Sequence, residues 1–220
     1  MISVVKRNGV VEPLNLDKLH RMVEFACDGL AGVSESAIEM NSNLQFYENI
    51  ETSDIQEILI RSANDLISLE QPNYQYVAAR LLLFSYRKSV YKGHPDNPPP
   101  LIDHVKECIA KGVYDPDLIK QYSEEEWSEL HDFIDWDRDY LFTYAGLRQV
   151  VDKYLVQDRS TGEVFETPQQ MYMLIAATLF QNYSIESRID YVKRYYNAIS
   201  KHRINIPTPV MAGVRTPIRQ

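Results

Sequence analysis

The strongest constraint on the fold lies at the start of the chain. Val4-Val5-Lys6-Arg7 runs into Asn8-Gly9, reverses, and returns as Val10-Val11-Glu12-Pro13 before Leu14-Asn15-Leu16-Asp17-Lys18. Asn-Gly between apolar residues predicts a β-hairpin, because both turn positions accept positive φ. Asn15 or Asp17 then predicts a helix start, so a hairpin feeds directly into a helix. A helix start carries unpaired backbone N–H groups and a partial positive charge, and it can receive an anion. Lys6, Arg7 and Lys18 add cations beside it. Two readings stand here: a phosphate cradle made without a glycine-rich loop, or a charged hairpin whose cations lie in water.

Beyond the hairpin the periodicity is helical. Leu16, Leu19, Val23, Ala26/Cys27 and Leu30 mark one apolar face, ended by Gly29 and Gly32. A shorter helix is expected from Glu35 to about Phe46. Thr52-Ser53-Asp54-Ile55-Gln56 reads as a third helix start, with Ser53 and Gln56 at capping-box spacing. Its expected stripe is Ile55, Ile58/Leu59, Ser62 and Leu66. Pro72 suits the first turn of a fourth helix, which runs to about Tyr91 with Val77, Leu81, Phe84, Lys88 and Tyr91 in line. Lys88 extends an apolar stripe, so it either snorkels to water or reaches an anion bound in the bundle.

The run Gly93-His94-Pro95-Asp96-Asn97-Pro98-Pro99-Pro100 denies both helix and ladder hydrogen bonds and is read as a domain junction. The expected domains are 1–93 and 94–220. In the second, helices are expected from about Leu101 to Lys111, from a capping box at Ser123-Glu124-Glu125-Glu126, and from Thr143 to about Asp152. Tyr154-Leu155-Val156-Gln157 and Val164-Phe165-Glu166 flank Asp158-Arg159-Ser160-Thr161-Gly162 as a hairpin. Helices follow from about Pro168 to Gln181 and from Ile185 to Ser200. The stretch Ile204 to Gln220 has three prolines and no helical period, and reads as extended chain. The fold class is mainly α.

Several chemistries are excluded. The net charge of −8 argues against general nucleic-acid binding. There is no GxxxxGK[ST] and no HExxH, and His20, His94, His104, His131 and His202 lack metal-ligand spacing. Cys27 and Cys108 fit neither a zinc site nor a disulfide framework, and read as small buried apolar side chains. His131 with Asp132, Asp135, Asp137 and Asp139 around Trp136 reads as a solvated turn rather than a metal site. Glu124, Glu125 and Glu126 point in different directions on a helix and cannot act as a carboxylate pair. No nucleophile–base pair and no catalytic residue is assigned. No apolar run reaches the length of a bilayer span, and the N-terminus has no signal-peptide core. The expected location is the cytoplasm, or the host cytoplasm if the chain is viral.

Lys6-Arg7-Asn8-Gly9, Asn15-Leu16-Asp17-Lys18, Thr52-Ser53-Asp54-Ile55, Tyr74-Gln75-Tyr76-Val77-Ala78-Ala79-Arg80, Lys153-Tyr154-Leu155-Val156 and Pro207-Thr208-Pro209-Val210-Met211-Ala212-Gly213-Val214-Arg215-Thr216-Pro217 follow one another in order. Together they resemble the large α subunit of class I ribonucleotide reductase, of the phage and enterobacterial branch. The likeness covers essentially the whole chain. It implies an ATP cone, a hairpin-capped four-helix module that binds ATP or dATP with Mg2+ as allosteric effectors. It also implies the helical N-terminal domain that flanks the reductase's ten-stranded α/β barrel.

Carried over residue by residue, the implied nucleotide contacts are Lys6, Arg7, Glu12, Pro13, Leu14, Asn15, Leu16, Asp17, Lys18, Thr52 and Lys88. Lys6, Lys18 and Lys88 can neutralise a triphosphate. Glu12 can accept from a ribose hydroxyl or the adenine amino group. Thr208 matches a residue that contacts the substrate diphosphate. Gln56 and Ser85 stand where dATP-inhibited relatives carry histidine, which implies weak dATP inhibition or none.

The reductase role implies deoxyribonucleotide synthesis for DNA replication, by an oxidoreductase that reduces ribonucleoside diphosphates. It also implies as partners the C-terminal half of α, a radical-generating β subunit, a second α subunit, and thioredoxin or glutaredoxin as reductant of the full enzyme. No membrane or nucleic-acid partner and no cofactor for chemistry on this chain are expected. The family's catalytic cysteines follow the Arg-Thr-Pro-x-Arg-Gln segment, and Cys27 and Cys108 match none of them. The chain is therefore expected to be a naturally split subunit or an expressed fragment, inactive and poorly soluble or oligomeric alone. The alternative function is a free-standing adenine-nucleotide sensor or transcriptional repressor. Such repressors carry a four-cysteine zinc ribbon and a basic surface, which this chain lacks.

Overall fold

A computed structural model of the chain describes residues 2–6 and 8–218. Among these, the strands are β1 (Ser3–Val5), β2 (Val11–Pro13), β3 (Ile50–Glu51), β4 (Gln157–Asp158) and β5 (Glu163–Val164). The helices are α1 (Leu16–Cys27), α2 (Glu35–Asn43), α3 (Thr52–Asp65), α4 (Tyr74–Val90), α5 (Leu101–Ala110), α6 (Glu124–Phe133), α7 (Tyr144–Lys153), α8 (Pro168–Phe180), α9 (Ile185–Ser200) and α10 (Thr208–Gly213). The fold is mainly α, with short 3-10 turns at Leu118–Lys120 and Trp136–Leu141. None of the helices described is long and apolar enough to cross a membrane. Two compact units emerge: residues up to Ser85 with Tyr140–Leu147, and Tyr86–Asp139 with the residues from Arg148 on. The proline-rich 94–100 stretch lies inside the second unit.

In the first unit the strands form a small sheet in the order β2-β1-β3, β1 pairing antiparallel with β2 and parallel with β3. Gly9 takes the positive φ of the turn, whose bonds run from Gly9 N to Lys6 O and from Lys6 N to Val10 O. Val4 and Ile50, opposite each other in the parallel pair, bury one face against the helices with Leu19, Val23, Ile38, Leu59, Val77 and Leu81. Tertiary contacts fix the helix ends. Arg80 donates to the carbonyls of Ala26 and Asp28 at the C-terminus of α1, at 3.2 and 2.6 Å. Tyr74 Oη accepts from Ser34 N, the residue that caps α2.

Two expectations change here. Leu16 leaves the apolar stripe and is 58% exposed, because α1 begins at Leu16 and its first turn overhangs the core. Ser53 and Gln56 make no capping box. The N-cap of α3 is Glu51, two residues before Ser53, and the Gln56 amide is drawn across to Leu81 O at 2.8 Å.

The second unit is built around α8, buried on all sides from Pro168 to Ala177 and therefore without amphipathic contrast. α9 packs along it, α6 packs on α9 and on α5, and α10 packs on α8. The capping box at Ser123 and Glu126 is formed, and the same Glu126 pairs with Arg188 of α9 at 2.5 Å. Arg188 stacks its guanidinium over the Tyr122 ring at 4.6 Å and holds the Glu126 carboxyl below its usual range. β4 and β5 form the expected hairpin.

Two further expectations are corrected. The acidic turn around Trp136 is not wholly solvated. Asp139 is 1% exposed, accepting from Arg87 at 3.2 Å and from Gln169 at 2.9 Å. The stretch from Ile204 is not all extended chain, since Thr208–Gly213 forms α10. Cys27 and Cys108 are buried as expected, and desolvation raises their thiols to about 11 and about 12. Neither thiol is a nucleophile near neutral pH.

Candidate functional site

The parallel β1–β3 pair organises the best candidate site. Parallel strands end at the same edge, and Val5 lies opposite Glu51. Lys6 follows Val5, and Thr52, the first residue of α3, follows Glu51. The pairing therefore carries the hairpin cation and the α3 N-terminus to one end of the sheet. The two-residue period of a strand puts Lys6 on the face of Val4, and Glu12 is the cross-strand partner of Val4. Lys6 Nζ and Glu12 Oε2 lie 2.7 Å apart, with both side chains more than a third exposed.

The two helix starts differ. Asn15 caps α1, its Oδ1 accepting from Lys18 N at 3.0 Å. The residue before α3 is Glu51, and its side chain makes no capping bond. Glu51 is engaged instead by the Ser53 hydroxyl at 3.1 Å, and Asp54 by the Tyr47 hydroxyl at 3.1 Å. The first-turn N–H groups of α3 thus have no side-chain cap, next to Thr52 and at the same edge as Lys6. That is the more open anion-receiving end.

β2 runs away from this edge, so Pro13, Leu14, Asn15, Leu16, Asp17 and Lys18 gather at the opposite end, where Leu14 N bonds Ile2 O. A three-residue strand advances about 10 Å, so the two ends suit the two parts of one extended polar ligand. Val10, Val11 and Leu16 are each at least half exposed and offer apolar surface beside these groups. Arg7 lies outside the described residues. Lys88 sits in the last turn of α4, in the second unit, as does Thr208, the exposed first residue of α10. No group of three or more His, Cys, Asp or Glu among the described residues is placed to hold a metal ion.

Sequence reasoning missed β3. A two-residue strand has no periodicity, and Ile50 before a helix start is the only trace it leaves.

Residues 2–89 match the ATP cone domain family, and residues 140–219 match the ribonucleotide reductase all-alpha domain family. The chain joins an ATP cone to a reductase all-alpha domain. Over 219 residues it is 52% identical to the ribonucleoside-diphosphate reductase subunit alpha of Haemophilus influenzae and 51% identical to the ribonucleoside-diphosphate reductase 1 subunit alpha of Escherichia coli. It is 41% identical over 222 residues to the subunit alpha of Enterobacteria phage T4. All of this chain is covered in each case, against 29%, 28% and 29% of those relatives. The chain thus spans less than a third of the length of these curated relatives and corresponds to their N-terminal region. The hairpin, the third strand and α1 to α4 all lie within or overlap the cone match.

Proposed function

We propose that this chain is the regulatory and substrate-segment part of a class I ribonucleotide reductase α subunit. In this reading the cone binds ATP or dATP as an allosteric effector. The carrying observation is the convergence of Lys6, Thr52 and the uncapped start of α3 at one edge of the small sheet, with Glu12 beside Lys6 on the side toward α1. The triphosphate lies at that edge, where Lys6 and the α3 N–H groups stabilise its charge. The nucleoside extends toward α1. There Glu12 and Asn15 accept hydrogen bonds, Pro13, Leu14 and Leu16 offer apolar surface, and Asp17 and Lys18 border it. Arg7 and Lys88 are assigned to phosphate from the family pattern. Mg2+ enters with the nucleotide, held by its phosphate oxygens.

Parts 1–93 and 94–220 then serve regulation and substrate presentation, with Thr208 contacting the substrate diphosphate. The reducing chemistry belongs to the remaining sequence of the α subunit together with a radical-generating β subunit. A second α subunit and a thioredoxin or glutaredoxin complete the enzyme. The match through residues 140–219 favours this reading over a free-standing nucleotide sensor.

Titration calorimetry of the chain with Mg-ATP tests the proposal. Saturable one-site binding, weakened by both Lys6→Ala and Thr52→Val, is the expected result. Absence of binding would reduce the cone to a structural element.

A further inference from the structure

α10 has six residues, two of its neighbours or members are proline, and it ends in glycine. A helix this short does not hold itself together in water. Its conformation must come from outside: from packing on α8 and from Arg215, which is fully buried. The Arg215 guanidinium donates to Met211 O of α10 at 2.6 Å and to Tyr154 O at 2.9 Å. It also pairs with both oxygens of Glu166, itself fully buried. The remaining acceptor capacity of Glu166 is filled by Val156 N at 2.7 Å and the Tyr114 hydroxyl at 2.5 Å. Tyr114 stands 3.2 Å from His104 Nε2, and Arg215 O accepts from Asp115 N. Thr216 closes the segment onto Gly213 O at 2.8 Å.

This is an expensive way to anchor a short helix. Burying a charge pair gains little stability over apolar packing, and its best-attested use is to select one conformation. The network is fully satisfied and fixed to α5, the following 114–115 turn and the β4–β5 hairpin. Met211 and Gly213 are buried on it, while Thr208 and Pro209 stand exposed at the other end.

We propose that Arg215, held by Glu166 and Tyr114, is a positioning residue that fixes the orientation in which α10 presents Thr208 to an anionic substrate group. The inference rests on the Thr208 reading above and adds the residues that make it geometrically exact enough to bind. Arg215 touches no substrate. It acts through the Met211 carbonyl, one turn from the presented residue.

The test uses the whole α subunit carrying this chain, assembled with its β subunit, in steady-state reduction of a ribonucleoside diphosphate. Arg215→Lys keeps the charge paired with Glu166 but cannot reach both Met211 O and Tyr154 O. It is expected to raise KM about tenfold with kcat within about threefold, since a small misplacement of a binding group loses ground-state affinity. Nucleotide affinity at the cone stays unchanged. If Arg215→Lys fails to fold, Tyr114→Phe, which removes one hydrogen bond to Glu166 and keeps the ring, decides the matter with a smaller KM rise. Thr208→Ala separates the two levels. A raised KM in Thr208→Ala with an unaltered KM in folded Arg215→Lys and Tyr114→Phe overturns the positioning role alone. An unaltered KM in Thr208→Ala removes the reading beneath it.

Discussion

Two ion pairs of similar composition serve opposite ends in this chain. Lys6–Glu12 on the hairpin is 2.7 Å long with side chains 40% and 34% exposed. Arg215–Glu166 in the second unit is fully buried, with side-chain exposures of 0% and 0%. The exposed pair is screened and contributes at most about 1 kcal/mol, so a polyanion can displace Glu12 from Lys6 at little cost. The buried pair has no competing solvent, and its own polar atoms also bond Met211 O, Tyr154 O, Val156 N and the Tyr114 hydroxyl. The difference teaches where to look for a ligand: at charges the fold holds loosely, not at those it holds tightly.

The largest effect should appear where the comparison is sharpest. Arg215→Met leaves Glu166 buried without its counter-charge and is expected to cost about 3–5 kcal/mol, read by urea unfolding. Removing Glu12 or Lys6 in the same assay should cost less than about 1 kcal/mol. Equal losses at the two sites would erase the distinction.

Acid sharpens it further. Burial pulls the His104 imidazole down to about 4, well below its ordinary 6.5. The unfolded chain therefore takes up a proton near pH 6.5 that the folded chain refuses until about pH 4. Stability is complete above pH 6.5 and declines as pH falls through that window, by about 3 kcal/mol from this group at roughly 1.4 kcal/mol per pH unit. His131 and His202, also lowered by desolvation, add to the same slope. His104→Phe should flatten the pH dependence of the unfolding midpoint; an unchanged slope would show that His104 is not the titrating group.

Lys6→Ala should weaken Mg-ATP binding about tenfold or more, the worth of a charge-assisted contact. The smallest effect concerns Gln56. Its amide nitrogen donates to Leu81 O, which turns the side chain toward α4, and it carries no imidazole of the kind found in dATP-inhibited relatives. ATP and dATP are expected to bind this chain with affinities within about threefold, below about 0.7 kcal/mol. dATP is expected to leave the complete enzyme active. A collapse of activity in micromolar dATP would contradict this.

The helices were legible because their apolar periods and caps are local. α9 follows its predicted bounds, and the Ser123 capping box sits where the spacing puts it. What escaped is non-local or too short to carry a period. β3 has two residues, and α10 hides between prolines. Asp139 looked like one of several surface acids because its partners, Arg87 and Gln169, are 52 and 30 residues away. Glu166 and Arg215 are 49 residues apart. The hairpin cations were visible, and so were two helix starts that could receive an anion, that of α1 and the one at Thr52. The structure caps α1 with Asn15 and leaves α3 without a side-chain cap, beside Lys6.

Thermal unfolding of this chain and its Lys6→Ala variant, each with and without Mg-ATP, shows directly whether the hairpin edge binds the nucleotide. Ligand at about one hundred times Kd contributes about 2.7 kcal/mol to the state that binds it. Without nucleotide the two are expected to melt within a few degrees of each other, and Mg-ATP should raise the parent by several degrees and Lys6→Ala, at tenfold or weaker affinity, by about half of that or less. An equal rise in Lys6→Ala, or no rise in the parent chain, would contradict this.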